Sequence, residues 1–291
     1  MVEKRLTKEI AELYCGVACT NYSSLFLSSF RELGIDNPSI QMREFTRLDP
    51  AAAETLIDFE QSLYLDGLTS LTDQTAYFLR KHKKGGVSLN GLMSLSDKVA
   101  EYLGKYAGSS LGLNGLTSLS DKAAECLGNY VGSSLGLNGL TSLSDMAAND
   151  LREYNGSLSL QGLFTGIVQR VLNAPIDEQE TESGALRLIV GDPREVIVTI
   201  DDCTIEVAVF GVRWTGSHTS EIHPRSVGVL HWADFEHVQF EQLLTTLLQA
   251  AQNARRAELG QCRYCGRLLG PEHMHGDMCH GCAERHEGIV H

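Results

Sequence analysis

Residues Gly108–Asp121 and Gly132–Asp145 carry the same stretch, GSSLGLNGLTSLSD, 24 positions apart. Working outward, the glycine of the triplet recurs as Gly67, Gly91, Gly115, Gly139 and Gly162, in steps of 24, 24, 24 and 23. Leu65, Leu89, Leu113, Leu137 and Leu160 share one column, and Leu68, Leu92, Leu116, Leu140 and Leu163 another. Asp73, Asp97, Asp121 and Asp145 follow, then Ala76, Ala100, Ala124 and Ala148, then Leu79, Leu103, Leu127 and Leu151. A fixed period of this length signals a stack of small units sharing one core.

Each column has a physical role. Leu135 and Leu137 alternate with period two, which turns both leucines to one side of a short strand. The glycine then turns the chain. Ser120-Asp121 supplies an N-cap oxygen and a negative charge where a helix dipole favours one. Ala124 and Leu127, at i and i+3, set the buried face of that helix, which ends near Gly128.

The strand-turn-helix unit, on the tract S-L-x-L-N-G-L-T-S-L-S-D, resembles the leucine-rich-repeat superfamily in a bacterial variety, over residues 40–174. The resemblance implies an α/β solenoid with a parallel sheet on its concave side and protein binding there. Where many such repeats place an asparagine, this chain has Leu116 and Leu140, so an internal asparagine ladder is not expected. The outward strand positions are Tyr64, Ser88, Gly112, Gly136 and Ser159, followed by Asp66, Asn90, Asn114, Asn138 and Gln161. Tyr64, Asp66, Asn90, Asn114, Asn138 and Gln161 are the candidate partner-binding residues. The amide column has two readings: a flat polar surface for a partner's extended segment, or an Asn that bonds the adjacent turn in every unit. Its near-constancy favours the scaffold role.

The pattern fades at both ends. Asp49-Pro50 falls in register as a helix start, while Ile40, Met42, Phe45 and Leu48 sit one residue off. Residues 1–39 are expected to form a helical cap. Arg80-Lys81-His82-Lys83-Lys84 is read as a solvated helix C-terminus. Four acids between Asp177 and Glu182 mark 175–184 as a linker.

Residues 185–259 then suggest a small α+β domain. Strands are expected at Leu186–Val190, Val196–Ile200 and Ile205–Val209, with a hairpin turn at Asp201-Asp202. Phe210–Trp214 and Val227–Trp232 are expected to extend that sheet. A helix over about 234–258 carries Phe240, Leu243, Leu244, Leu247 and Leu248 on its apolar side. His218, Glu221, His223, Asp234 and His237 invite a metal or acid-base reading, but no known catalytic spacing connects them. Cys15, Cys19, Cys126 and Cys203 are read as buried small side chains.

The strongest chemical signal lies in 260–291. Cys262-Arg-Tyr-Cys265-Gly and Cys279-His-Gly-Cys282 are two C-x-x-C turns separated by thirteen residues. Two thiolates two residues apart reach one ion from a tight turn, and Gly266 lets the chain continue. A second turn completes a tetrahedron of Cys262, Cys265, Cys279 and Cys282, which suits one structural Zn2+ with no open position for water. The motif resembles a zinc ribbon, a family that binds nucleic acid or protein. A RING-type ubiquitin ligase would need eight ligands. An HNH nuclease would need a D-H-I-x-P segment that is missing from GRLLGPEHMHGDM.

Net charge is -13, from 24 basic and 37 acidic residues, and 175–254 holds 4 basic against 13 acidic. No segment is net basic, which disfavours a nucleic-acid partner acting through Arg255, Arg256, Arg263, Arg267 and Arg285. No apolar run reaches the length of a membrane span, and the first residues do not resemble a signal peptide. A cytoplasmic, non-enzymatic interaction protein is therefore expected, with a protein partner. A zinc-dependent hydrolase or ligase component is a weaker alternative.

Overall fold

The computed structural model describes residues 4–19, 42–202, 204–215 and 219–289. Residues 1–3 and 20–39 of the expected cap, with Ile40, lie outside them, as do the Cys19 side chain, Cys203 and His218. The chain divides into two compact units, Met1–Leu163 and Phe164–His291.

In the first unit, strand β1 (Arg5–Leu6) pairs in parallel with β2 (Arg47–Leu48), and helix α1 (Lys8–Cys19) packs on α2 (Pro50–Thr55). Five short strands follow at the expected period: β3 (Leu63–Tyr64), β4 (Val87–Ser88), β5 (Ser110–Gly112), β6 (Ser134–Gly136) and β7 (Ser157–Ser159). They form one parallel sheet in chain order, in register Leu63, Val87, Leu111, Leu135 and Leu158. Helices α3 (Asp73–Leu79), α4 (Asp97–Gly104), α5 (Asp121–Gly128) and α6 (Asp145–Arg152) alternate with them. The side chains of Thr72, Ser96, Ser120 and Ser144 cap these helices by accepting the N–H of Thr75, Val99, Ala123 and Ala147. The leucines of the repeated columns, from Leu65 to Leu160, are fully buried.

Three ladders tie unit to unit. Asp66 Oδ1 accepts the Asn90 N–H, Asn90 Oδ1 that of Asn114, Asn114 Oδ1 that of Asn138, and Asn138 Oδ1 that of Gln161, at 2.9–3.1 Å. Contrary to expectation, an asparagine ladder therefore does exist, two positions before the column of Leu116 and Leu140. Each of its amides satisfies a backbone donor that a strand end would leave without a partner. A second ladder stacks His82, Tyr106, Tyr130 and Tyr154, with ring centroids 6.4, 6.0 and 5.9 Å apart. The tyrosine hydroxyls donate to the carbonyls of Gly85, Gly108 and Gly132. The third runs between helix caps, where the Ser120 hydroxyl donates to Asp97 and that of Ser144 to Asp121. The repeated glycines permit this spacing: a Cβ on Gly91, Gly115 or Gly139 would collide with the carbonyl oxygen of Asp66, Asn90 or Asn114.

Helix α7 (Gln161–Leu172) runs into the second unit. There a five-stranded antiparallel sheet has the order β14 (Arg225–His231), β11 (Thr204–Val209), β10 (Val196–Asp201), β9 (Leu186–Val190), β8 (Ile176–Glu180). The acidic stretch read as a linker over 175–184 is thus an edge strand over half of its length. Its acids point to solvent, and its backbone pairs with β9 from Ile176↔Val190 to Glu180↔Leu186. The β10–β11 hairpin forms as expected, with Asp201 paired to Thr204 and Asp202 at φ +46. Residues 210–214 do not extend the sheet. Strands β12 (Val212–Trp214) and β13 (Ser220–Ile222) instead make a separate hairpin, whose Val212 and Ile222 cover Ile189, Ile197, Ala208 and Phe210. Helix α8 (His237–Arg256) packs on β10, β11 and β14 and buries Phe240, Leu244, Leu248 and Ala251. The Phe164, Trp232 and Phe240 rings meet at 5.1–5.7 Å.

The tail consists of two small antiparallel pairs, β15 (Gly260–Gln261) with β16 (Leu268–Leu269) and β17 (Met274–His275) with β18 (Met278–Cys279), and then helix α9 (His280–Glu287). Its apolar cluster is Cys262, Met278, Cys279, Cys282 and Ala283, too small to form a core without further support.

Candidate functional site

The two tail hairpins and the start of α9 bring four sulfurs together. Sγ of Cys262, Cys265, Cys279 and Cys282 all lie within 4.8 Å of one another, and all four cysteines are free thiols. Cys265 Sγ is 3.8 Å from Cys279 Sγ. A tetrahedron of metal–sulfur bonds about 2.3 Å long has edges of about 3.8 Å, so the spacing fits a four-thiolate metal site. The first turn closes through the Gly266 N–H to the Cys262 carbonyl at 2.8 Å, and Gly266 sits at φ +70, where a side chain would be strained. The Cys279 N–H donates to Cys262 Sγ at 3.3 Å.

The thiols of the cluster are shifted in opposite directions. Backbone N–H groups of Cys265 and Cys279 draw the Cys262 thiol down to about 6, and the Cys282 backbone lowers Cys279. Hydrogen bonding to the Cys279 sulfur, with burial, pushes Cys282 up to about 12. Four thiolates at this spacing repel one another, and a divalent ion removes that conflict. The Arg267 guanidinium, held up by the sulfur of Cys265, adds a positive charge at the rim.

The nearby histidines do not join the cluster. Among the described residues, only the four cysteines form a group of three or more potential metal ligands. His286 stacks on Tyr264 at 4.4 Å, and His273 meets Trp214 edge-on at 6.5 Å. The other polar candidates lie apart. Glu221 pairs with Arg213, Asp234 faces His231 at 3.9 Å, His223 is exposed, and His237 is buried against Trp232 with Glu241 at 3.8 Å. Cys15 and Cys126 are half-buried rather than core residues.

Three of the arginines considered for phosphate contact are engaged by acids. Arg255 meets Glu258 and Glu272, Arg256 meets Glu195, and Arg263 meets Asp277 and Glu287. Arg255 and Glu272 are buried, with side chains 2% and 7% exposed. Burial raises the Glu272 carboxyl, but the Arg255 guanidinium outweighs it and leaves the group below its usual range. The pairing escaped sequence reasoning because no spacing links residues 255 and 272.

On the first unit, a groove of about 250 Å³ crosses the outward face of β3 to β6. Its lining includes Tyr64, Asn90 and Asn114 from the expected partner-binding set, but not Asp66, Asn138 or Gln161. Ser62, Ser110 and Ser134 complete its wall. Sequence reasoning missed these serines, although they form a column that reads Ser62, Gly86, Ser110, Ser134 at period 24. Tyr64 stands 53% exposed with the Arg43 guanidinium 5.9 Å over its ring. The ladder amides keep their Oδ1 atoms for the backbone, so the groove offers chiefly hydroxyls, amide N–H groups and one aromatic wall. No protein-family model, curated protein or solved structure matches the chain. No helix among the described residues is long and apolar enough to cross a membrane.

Proposed function

We propose that this chain is a non-enzymatic interaction scaffold. In this reading residues 40–174 form a leucine-rich-repeat solenoid, and 260–291 is a ribbon in which Cys262, Cys265, Cys279 and Cys282 hold one structural zinc ion. The observation that carries the interaction role is the groove on the strand face, with Tyr64 at its wall and a floor of small residues at Gly112 and Gly136. A shallow polar floor flanked by an exposed aromatic suits the backbone of a protein segment better than a small molecule, which prefers an enclosed apolar pocket. The zinc assignment rests on the sulfur spacing and on a donor set that leaves no ligand position open.

The test is affinity capture from the native host with the parent chain and with Ser134→Arg, which fills the groove from an exposed wall position. The reading predicts a captured protein that is lost with the variant while its melting temperature is unchanged. Capture of no protein, together with zinc-dependent turnover of a substrate, would overturn it.

A further inference from the structure

We propose that the buried Arg255–Glu272 pair couples the metal centre to helix α8, so that Glu272 is a positioning residue for the four-cysteine site. The inference rests on the reading that this site takes a metal. Glu272 lies in the segment between the two C-x-x-C turns, and that segment has little core of its own. What fixes it is contact with the preceding domain. Arg255 Nη2 donates to Glu272 Oε1 at 2.5 Å, and the indole N–H of Trp214 donates to the Glu272 carbonyl at 3.2 Å. His273 closes on the same indole. Gly270 leaves room for the pair, since a Cβ there would collide with both the guanidinium and the carboxylate. Arg255 is held from its other side by the Arg194 carbonyl at 3.3 Å and by the Phe210 ring at 5.5 Å.

The segment is therefore pinned at both of its ends by cysteine pairs and in its middle by Arg255. Metal binding orders the ends and so presents Glu272 to Arg255. Without it, a nearly fully buried guanidinium loses its shortest ion pair and keeps only the longer one to Glu258 at 3.4 Å, a costly change for a buried charge. Coupling of this kind is reciprocal, so whatever the metal adds to the ion pair, the ion pair adds to metal affinity by the same factor.

The experiment measures zinc affinity of the full-length parent and of Glu272→Gln by competition with a chelator of known affinity. Amide exchange over 251–258 and 212–222 is followed with and without zinc. The proposal predicts that Glu272→Gln weakens zinc binding about 5- to 150-fold. It also predicts that removing zinc speeds exchange in both stretches of the parent, a measurement that needs no variant to fold. Zinc affinity within twofold of the parent, with exchange over 251–258 indifferent to zinc, would overturn it while leaving the metal site intact. Failure of the parent to take up zinc would overturn the metal reading as well.

Discussion

The two units of this chain reach order by opposite routes. In Met1–Leu163 each structural device is used several times over, at one period: an amide to a backbone N–H, a tyrosine hydroxyl to a glycine carbonyl, a serine cap to a neighbouring aspartate. In Phe164–His291 the corresponding devices occur singly, as the Arg255–Glu272 pair, the Trp214 indole bond and the cysteine cluster do. Repetition spreads the load over several units. A single device concentrates it, so one substitution should have wider consequences in the second unit than in the first.

The sharpest way to break that contrast is Cys279→Ser. Removing one thiolate from a closed four-sulfur site forfeits metal binding on the order of 10 kcal/mol. Residues 260–289 should lose amide protection while the 24-residue units keep theirs, as hydrogen exchange would show.

Next in size is a pair of identical substitutions with opposite signs. Gly115→Ala places a methyl against the Asn90 carbonyl, a backbone atom that cannot step aside, and should cost about 3 kcal/mol. Gly281→Ala, in α9 with nothing within 4 Å of the new carbon, should stabilise by up to about 1 kcal/mol. Thermal melts of both variants compare directly with the parent.

Asn114→Ala removes one rung and leaves the Asn138 N–H without its acceptor, at a cost of about 1 to 2 kcal/mol, read from a denaturant midpoint. The rungs on either side should limit the damage to that size.

The smallest effect concerns His82, the one imidazole in the ring ladder. It is fully buried, which corrects the reading of 80–84 as a solvated helix C-terminus at this residue, and neither ring nitrogen has a well-formed hydrogen bond. Burial lowers it below the ordinary histidine range by more than the nearby carbonyls of Ile57, Leu56 and Gln61 raise it. The unfolded chain therefore binds the proton more readily than the folded one. Stability should be complete above the unfolded value of about 6.5 and should fall as pH drops below it. His82→Tyr, which restores the residue found at 106, 130 and 154, should remove that slope in melts recorded from neutral to mildly acidic pH. Tyr106 beside it, pushed up to about 12 by burial, does not titrate in this range.

The same contrast decides what could be read from the sequence. The leucine columns, the helix caps and the sulfur cluster were legible because local spacing alone sets them. The ring ladder was missed although its signal is present: His82, Tyr106, Tyr130 and Tyr154 stand three residues after Leu79, Leu103, Leu127 and Leu151. The column simply continues past the helix. Strand β8 was hidden because its run of acids lacks an apolar alternation, charged residues being common on edge strands, and only its backbone pairing with β9 marks it as a strand. The β12–β13 hairpin and the Arg255–Glu272 pair depend on tertiary contacts that no period announces.

The claim that the cysteines form one closed structural site is tested most directly by native mass spectrometry of the purified chain, combined with thiol alkylation before and after chelation. The account predicts one zinc ion per chain and four additional cysteines, 262, 265, 279 and 282, alkylated once the metal is withdrawn. No bound metal, or two metal ions per chain, would contradict it.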